Sequence, residues 1–140
     1  MTQGNPIKFR GLDHVVLRII DLDAMMHFYC DILGCSVERR SDEIGLIQLR
    51  AGNALIDLVP VSGRLGMAGG PAPGRAGHNL DHFCLRLEDF DAELLRDWLV
   101  RNDIVVGDVE QRYGAEGDGP SLYIDDPEGN TVELKGPPNA

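Results

Sequence analysis

The chain contains two copies of one sequence unit. Residues 12–24 read LDHVVLRIIDLDA, and residues 80–92 repeat them as LDHFCLRLEDFDA, with 8 of 13 positions identical. An internal repeat of this kind predicts two similar structural units that pack against each other. At 140 residues, the chain has the length of a single domain. We therefore expect one domain built from two related modules.

The first copy predicts a strand followed by a helix. Residues 13–20 are rich in valine and isoleucine, and their alternation places His14 and Arg18 on the same face of a strand. Apolar residues at helical spacing follow. Asp21 offers an N-cap oxygen to this helix, and Gly34 supplies a left-handed stop.

The second copy is expected to repeat this order. Residues 81–87 form the strand, and Asp89 is the predicted cap of the helix. Three strand candidates follow the helix in each copy: 36–39, 44–50 and 54–59 in the first, and 105–111, 121–124 and 131–134 in the second. Each half is therefore predicted to be a βαβββ module.

Two glycine-rich stretches mark the organisation of the chain. Residues 61–79 contain 6 Gly and 2 Pro, a composition that predicts a mobile linker. This linker separates a first module at 11–60 from a second module at 80–136, within a single domain at 11–136. The other stretch, 113–120, is longer than an ordinary hairpin needs, and we expect a loop with a role in function.

Equivalent residues of the two copies predict a metal site. His14 and His82 occupy the same point of the first strand of each half, and Asp57 and Glu133 the same point of the last. A duplicated unit usually packs with approximate twofold symmetry, so these four side chains are expected to meet near the axis. Two imidazoles and two carboxylates suit a divalent first-row metal. The alternative is a pair of core histidines and solvated carboxylates without a metal.

Four further side chains are candidates for binding substrate. Arg18 and Arg86 repeat on the histidine-bearing strand faces, where they would anchor an anionic substrate or pair with carboxylates at the rim of the sheet. Arg112 and Tyr113 border the second glycine-rich stretch. They are expected to orient substrate, unless the stretch is a disordered hairpin.

Charge and composition exclude several classes of partner. Lys+Arg 13 against Asp+Glu 23 gives a formal net charge of −10, which disfavours nucleic acid and anionic membrane surfaces. No apolar run approaches the roughly 18 residues of a membrane helix. The first ten residues lack a signal-peptide pattern, and Cys30, Cys35 and Cys84 match no disulfide or zinc spacing. A cytoplasmic protein with reduced thiols is expected.

Four segments carry a resemblance to a known family: LDHVVL at 12–17, HFYCDILGC at 27–35, LDHFCLRLED at 80–89 and DPEGNTVEL at 126–134. Together they resemble the vicinal oxygen chelate superfamily, which includes glyoxalases, bleomycin resistance proteins and extradiol dioxygenases. The resemblance implies an α+β fold in which two βαβββ modules form one curled, mixed-sheet, barrel-like domain around an open cavity.

The resemblance also implies a site and an activity. His14, Asp57, His82 and Glu133 would hold one divalent ion, Zn, Ni, Fe, Mn or Co, although glyoxalase-like enzymes usually carry Glu where Asp57 stands. The implied function is a metal-dependent, glyoxalase-like or dioxygenase-like enzyme that chelates a small oxygen-rich substrate, with Glu133 and Tyr113 in catalysis and with a homodimer as the assembly. The alternative is a metal-free protein that binds a small molecule, such as a bleomycin-type antibiotic.

Overall fold

The computed structural model describes residues 4–140. In it, the order of strands and helices is repeated in the two halves of the chain, as the sequence is. The first module comprises β1 (His14–Ile19), α1 (Leu22–Met26) with a π-helical continuation (His27–Ile32), β2 (Ser36–Ser41), β3 (Leu46–Ala51) and β4 (Ala54–Pro60). A short helix, α2 (Arg64–Met67), lies in the linker. The second module comprises β5 (Phe83–Arg86), α3 (Ala92–Arg101), β6 (Glu110–Gly114), β7 (Gly117–Asp125) and β8 (Thr131–Lys135).

Each module forms one four-stranded mixed sheet. The strand orders are β1-β4-β3-β2 and β5-β8-β7-β6. In both sheets the first and last strands of the module pair in parallel, and the remaining pairs are antiparallel. The predicted α+β fold of two βαβββ modules is therefore confirmed, as two curled sheets rather than one closed barrel over residues 4–140.

Alternation along β1 separates the core from the histidine-bearing face. Leu17 and Ile19 point inward and are fully buried, whereas His14 and Val16 are exposed. Buried side chains of both modules form one shared cluster, to which Phe28 and Leu122 belong. Each such aliphatic or aromatic side chain contributes about 1.5–3 kcal/mol when it leaves water. The two modules are therefore held together partly by one hydrophobic core.

A polar latch also joins the modules at residues 126–130, which we call the DPEGN loop. The buried Asp126 carboxylate accepts hydrogen bonds from the Tyr29 hydroxyl at 2.7 Å, from the backbone N–H of Glu128 and Asn130 at 2.9 Å, and from the Asn130 amide at 2.8 Å. Burial, followed by the charge of Asp126, raises the pKa of Tyr29, so its hydroxyl stays protonated and donates. The Glu128 carboxylate accepts from the backbone N–H of Ile20, shared between its two oxygens at 2.8 and 2.9 Å, and from the backbone N–H of Asp21 at 2.8 Å. The second module thereby holds the entry to the first helix.

The helix caps differ between the modules. Asp21 caps α1 as predicted, with its side chain accepting from the Ala24 N–H at 3.0 Å. The prediction of Asp89 as the second cap was wrong, because Asp91 is the N-cap of α3 and accepts from the Leu94 N–H at 3.2 Å. Phe90 packs so closely on the backbone of Gly136 that a Cβ there would lie 2.4 Å from it. Phe90 thus packs against the end of β8 and lies outside the helix, which begins at Ala92.

The two glycine-rich stretches are more regular than their composition predicted. Residues 113–120 form the end of β6 and the start of β7, with a turn between Gly114 and Gly117, so the expected loop is a hairpin. The linker contains α2, which sits close to the carbonyl of Pro60 at its buried Gly66. Backbone pairing orders the hairpin, and the close packing of Gly66 orders α2, although both stretches have few large side chains to bury. No helix of the described chain, residues 4–140, is long and apolar enough to cross a membrane.

Candidate functional site

The first predicted pair of ligands, His14 and Asp57, lies on two neighbouring parallel strands. Asp57 on β4 is 4% exposed, and its Oδ2 is 3.9 Å from Nε2 of His14 on β1. The other ring nitrogen, Nδ1, is 2.7 Å from the carboxylate of Asp13. This hydrogen bond, followed by the charge of Asp57, raises the pKa of His14. Gln48, opposite Asp57 on β3, donates its amide to both carboxylate oxygens at 3.3 Å.

The second pair, His82 and Glu133, repeats this geometry in the other module. Glu133 on β8 is 7% exposed, and its Oε1 is 3.4 Å from Nε2 of His82, which lies just before β5. Nδ1 of His82 is 2.6 Å from the carboxylate of Asp81. The edge of the Tyr123 ring meets the His82 ring, with 5.4 Å between their centres. Burial, followed by the charge of Glu133, raises the pKa of Tyr123.

In each pair the preceding aspartate orients the histidine. A carboxylate that accepts from Nδ1 fixes the tautomer and leaves Nε2 free as a lone-pair donor, which is the usual arrangement around metal-binding histidines. Asp13 and Asp81 were not singled out from the sequence, although the repeated Asp-His dipeptide was the signal for them. Gln48 and Tyr123 also face their carboxylates from equivalent strands. Because these two residues differ in type, the repeat gave no signal for them.

The two pairs do not come together within one chain. No group of three or more His, Cys, Asp and Glu side chains placed to hold a metal ion occurs in the described residues 4–140. Each pair lies at the parallel strands of its own sheet, with His82 one residue before β5. The modules meet instead through the DPEGN loop and through α3, where the Trp98 indole donates to the carbonyl of Ile32 at 2.9 Å. The predicted meeting of four ligands at an axis is therefore not seen in the isolated chain.

A cavity of about 350 Å³ opens beside the second pair. Its lining includes His82, Cys84, Arg86, Tyr113, Glu133 and Lys135. At its rim Arg86 forms an ion pair with Glu116 of the β6–β7 turn, with 2.7 Å between Nε and Oε1. Desolvation, followed by the charge of Glu133, raises the pKa of Cys84 to about 11, so this thiol is a poor nucleophile near neutral pH. A larger depression of about 540 Å³ lies near Asp103 and Pro127, away from the predicted site residues.

The four candidate substrate-binding residues have different surroundings. Arg86 and Tyr113 line the cavity, and Tyr113 is 82% exposed. Arg112 is held by the carbonyl of Ser121 at 2.8 Å and by Glu110 at 2.6 Å, with its guanidinium over the Tyr123 ring. Arg18 donates to three carbonyl oxygens of the linker: Gly66 at 2.8 Å, Gly70 at 2.7 Å and Pro71 at 3.0 Å. The Arg18 guanidinium is thus engaged by the linker.

Comparisons with known proteins agree with this fold. The model of the Glyoxalase/Bleomycin resistance protein/Dioxygenase superfamily matches residues 11–134. A virulence protein of Salmonella typhimurium is 30% identical over 132 residues, which cover 88% of this chain and 81% of that protein. Its crystal structure has a TM-score of 0.74 at 23% identity, covering 93% of this chain and 98% of that one. A lactoylglutathione lyase from Agrobacterium tumefaciens has a TM-score of 0.66 at 21% identity, covering 94% and 96%.

Proposed function

Because the chain belongs to the glyoxalase/bleomycin resistance protein/dioxygenase superfamily, we propose that it is a metal-dependent enzyme of the vicinal oxygen chelate type. The two equivalent histidine–carboxylate pairs carry this proposal. In each of them an aspartate orients the imidazole, and the Nε2 atom faces a buried carboxylate. A histidine that only fills space has no need of this arrangement, whereas a metal ligand does.

The donor set fits a divalent first-row ion. Imidazole nitrogens and carboxylate oxygens together suit Zn, Ni, Fe, Mn or Co. Asp57 and Glu133 are both nearly buried, and burying a carboxylate without a cation is costly. When bound, such an ion supplies Lewis-acid polarisation of two adjacent substrate oxygens. We therefore propose His14, Asp57, His82 and Glu133 as the ligands.

A second copy of the chain completes the site in this proposal. Two ligands from one module are too few for a stable centre, so the first pair of one protomer would face the second pair of its partner. A twofold dimer of this kind creates two equivalent sites. The surface beside the first pair supports such a contact, since Leu12 and Val16, on either side of His14, are 86% and 49% exposed. Exposed apolar side chains around a polar centre are typical of an interface.

The residues of the cavity divide the remaining tasks. Glu133 lies among the cavity residues and can accept a proton from substrate carbon. Tyr113 stands at the exposed rim, where its hydroxyl can donate a proton to a substrate oxygen. The ion pair of Arg86 with Glu116 ties β5 to the hairpin turn and shapes the cavity entrance. Arg86 and the substrate together would exclude water from this entrance.

Elemental analysis tests the proposal. We expect protein purified without chelator to carry divalent metal, and H82A to lose it by about 10-fold or more, since a ligand is worth at least as much as the groups that orient it. H27A is the matched control, because His27 pairs with Asp31 at the surface at 2.8 Å. A wild-type protein that binds no divalent metal would contradict the proposal. It would favour a metal-free small-molecule binding protein instead.

The orienting aspartate gives a finer prediction. D81N is expected to weaken metal affinity by about 10-fold, because the amide no longer holds the Nδ1 proton as a charged acceptor does. Competition with a metal-sensitive dye measures the affinity. D89N serves as the control, since Asp89 lies in the same segment beyond β5. Equal affinities for D81N and D89N would show that Asp81 is only a surface partner of His82.

A further inference from the structure

The cavity beside the second pair contains a buried lysine. The chain has two lysines, Lys8 and Lys135. Lys8 is exposed near the N-terminus, whereas Lys135 at the end of β8 is only 7% exposed. Lysine is almost never buried unless its ammonium is paired, because removing the charge from water is expensive. The position of Lys135 therefore calls for a partner.

Protein atoms supply only part of that partner. The Nζ atom donates one hydrogen bond to the carbonyl of Arg112 at 2.7 Å. No carboxylate of the described residues 4–140 lies within ion-pairing distance of it. An ammonium group carries three N–H donors. Among residues 4–140, two of these donors thus have no hydrogen-bond partner and remain for another acceptor.

The fold makes room for this side chain. A Cβ on Gly114 would lie 2.7 Å from Cε of Lys135, and a Cβ on Gly119 would lie 3.0 Å from its Nζ. Gly114 lies on β6 and Gly119 on β7, the two paired strands of the β6–β7 hairpin. Any larger residue at Gly114 would displace the stem of the lysine. The hairpin therefore forms a cradle that fits Lys135 in its present position.

Lys135 also stands close to the proposed metal centre. It follows Glu133 by two residues on β8, so the two side chains share a face with Cα atoms roughly 7 Å apart. Both line the cavity that includes His82. One small substrate molecule could therefore contact Nζ of Lys135 and the proposed metal centre at the same time.

The charges around the cavity single out this lysine. The other two cations of this face are already paired, Arg86 with Glu116 and Arg112 with Glu110. In a protein of net charge −10, an anion is repelled over most of the surface, so a local cation is needed to hold it. We propose that the Lys135 ammonium binds an anionic oxygen group of the substrate and makes the site selective for small anionic molecules.

The inference rests on the proposed function for the reaction at the metal, but not for the anion site itself. A carboxylate and a phosphonate offer the same oxygen acceptors to an ammonium, and both form charge-assisted hydrogen bonds. Acetate is therefore the probe for a carboxylate ligand, and methylphosphonate is the probe for a phosphonate ligand. Chloride at equal ionic strength controls for screening.

Side-chain ammonium NMR tests the proposal on the full chain without added metal. Two lysines give two ammonium signals, so Lys8 is an internal control. We expect acetate or methylphosphonate to shift the Lys135 signal along a saturating curve and to leave the Lys8 signal unchanged. K135M is expected to weaken binding at least about 10-fold, measured by calorimetry, whereas K8M keeps it.

Two results would overturn the proposal: a Lys135 signal that neither anion shifts, or equal anion affinity in K135M and wild type. The wild-type titration needs no variant, so a variant that fails to fold leaves the test intact. Failure of the anion site is distinct from failure of the proposed function. Anion binding without retained metal would reject the metal centre alone, and retained metal without anion binding would reject the role of Lys135 alone.

Discussion

Mixing two metal-free double variants is expected to restore metal binding. H14A/D57N removes the first pair and H82A/E133Q removes the second, while both retain the volume of the buried carboxyl groups. In a twofold dimer, one mixed site joins the intact pair of each variant, and the other joins the two broken pairs. Random pairing makes about half of the dimers mixed, so we expect about one quarter of the wild-type metal content. Elemental analysis after co-refolding measures it.

The mixing experiment has an internal control. Each double variant refolded alone reports the metal that one intact pair can hold, which we expect to be close to none. If both pairs instead acted within one chain, mixing would restore nothing, because every chain lacks one pair. Metal that appears only in the mixture, together with the dimer in sedimentation, would establish that two copies share the centre.

D126N is expected to lower the free energy of unfolding by about 3 kcal/mol. The carboxylate of Asp126 accepts from Tyr29, Glu128 and Asn130 in a buried position. An amide in its place turns donors toward donors, and each buried group left without a partner costs about 1–3 kcal/mol. For a domain of this size the loss corresponds to a decrease of about 10 °C in the melting temperature. Thermal denaturation of the metal-free protein measures it.

Two variants separate the latch from a general effect of charge. Y29F removes one hydrogen bond to the same carboxylate, so we expect a smaller loss of about 1–2 kcal/mol. D125N changes the neighbouring exposed aspartate, whose side chain accepts, within the described part of the chain, only from the Thr131 hydroxyl at 2.8 Å. This variant should leave the melting temperature nearly unchanged. Equal stability of D126N and D125N would contradict the claim that the hydrogen bonds of Asp126 stabilise the fold.

Local patterns explain the parts of the fold that the sequence predicted well. The alternation on β1 assigned Leu17 and Ile19 to the core and His14 to the other face, because the side-chain period of a strand is fixed by its geometry. The repeat then placed Asp57 and Glu133 at equivalent points of the last strands. The parallel pairing of first and last strands brings each of them beside its histidine.

The features that depend on long-range packing were beyond local patterns. The separation of the two pairs is set by how the modules dock, and that depends on contacts such as Tyr29 with Asp126, 97 residues apart. The N-cap of α3 lies at Asp91 rather than at Asp89, next to Phe90, whose contact with Gly136 joins residues far apart in the sequence. Likewise, alternation places Lys135 on the face of Glu133, but its burial depends on the two glycines of a different hairpin.

The DPEGN loop is a difference between the two similar halves of the chain. The corresponding turn of the first module, around Gly52 and Asn53, reads RAGN and contains no carboxylate. The carboxylates of the DPEGN loop therefore occur only in the second half, and they accept hydrogen bonds from Tyr29 and Ile20 of the first half. Two copies of either half fused together would lack one side of these hydrogen bonds. The two similar halves are therefore complementary parts that are not interchangeable.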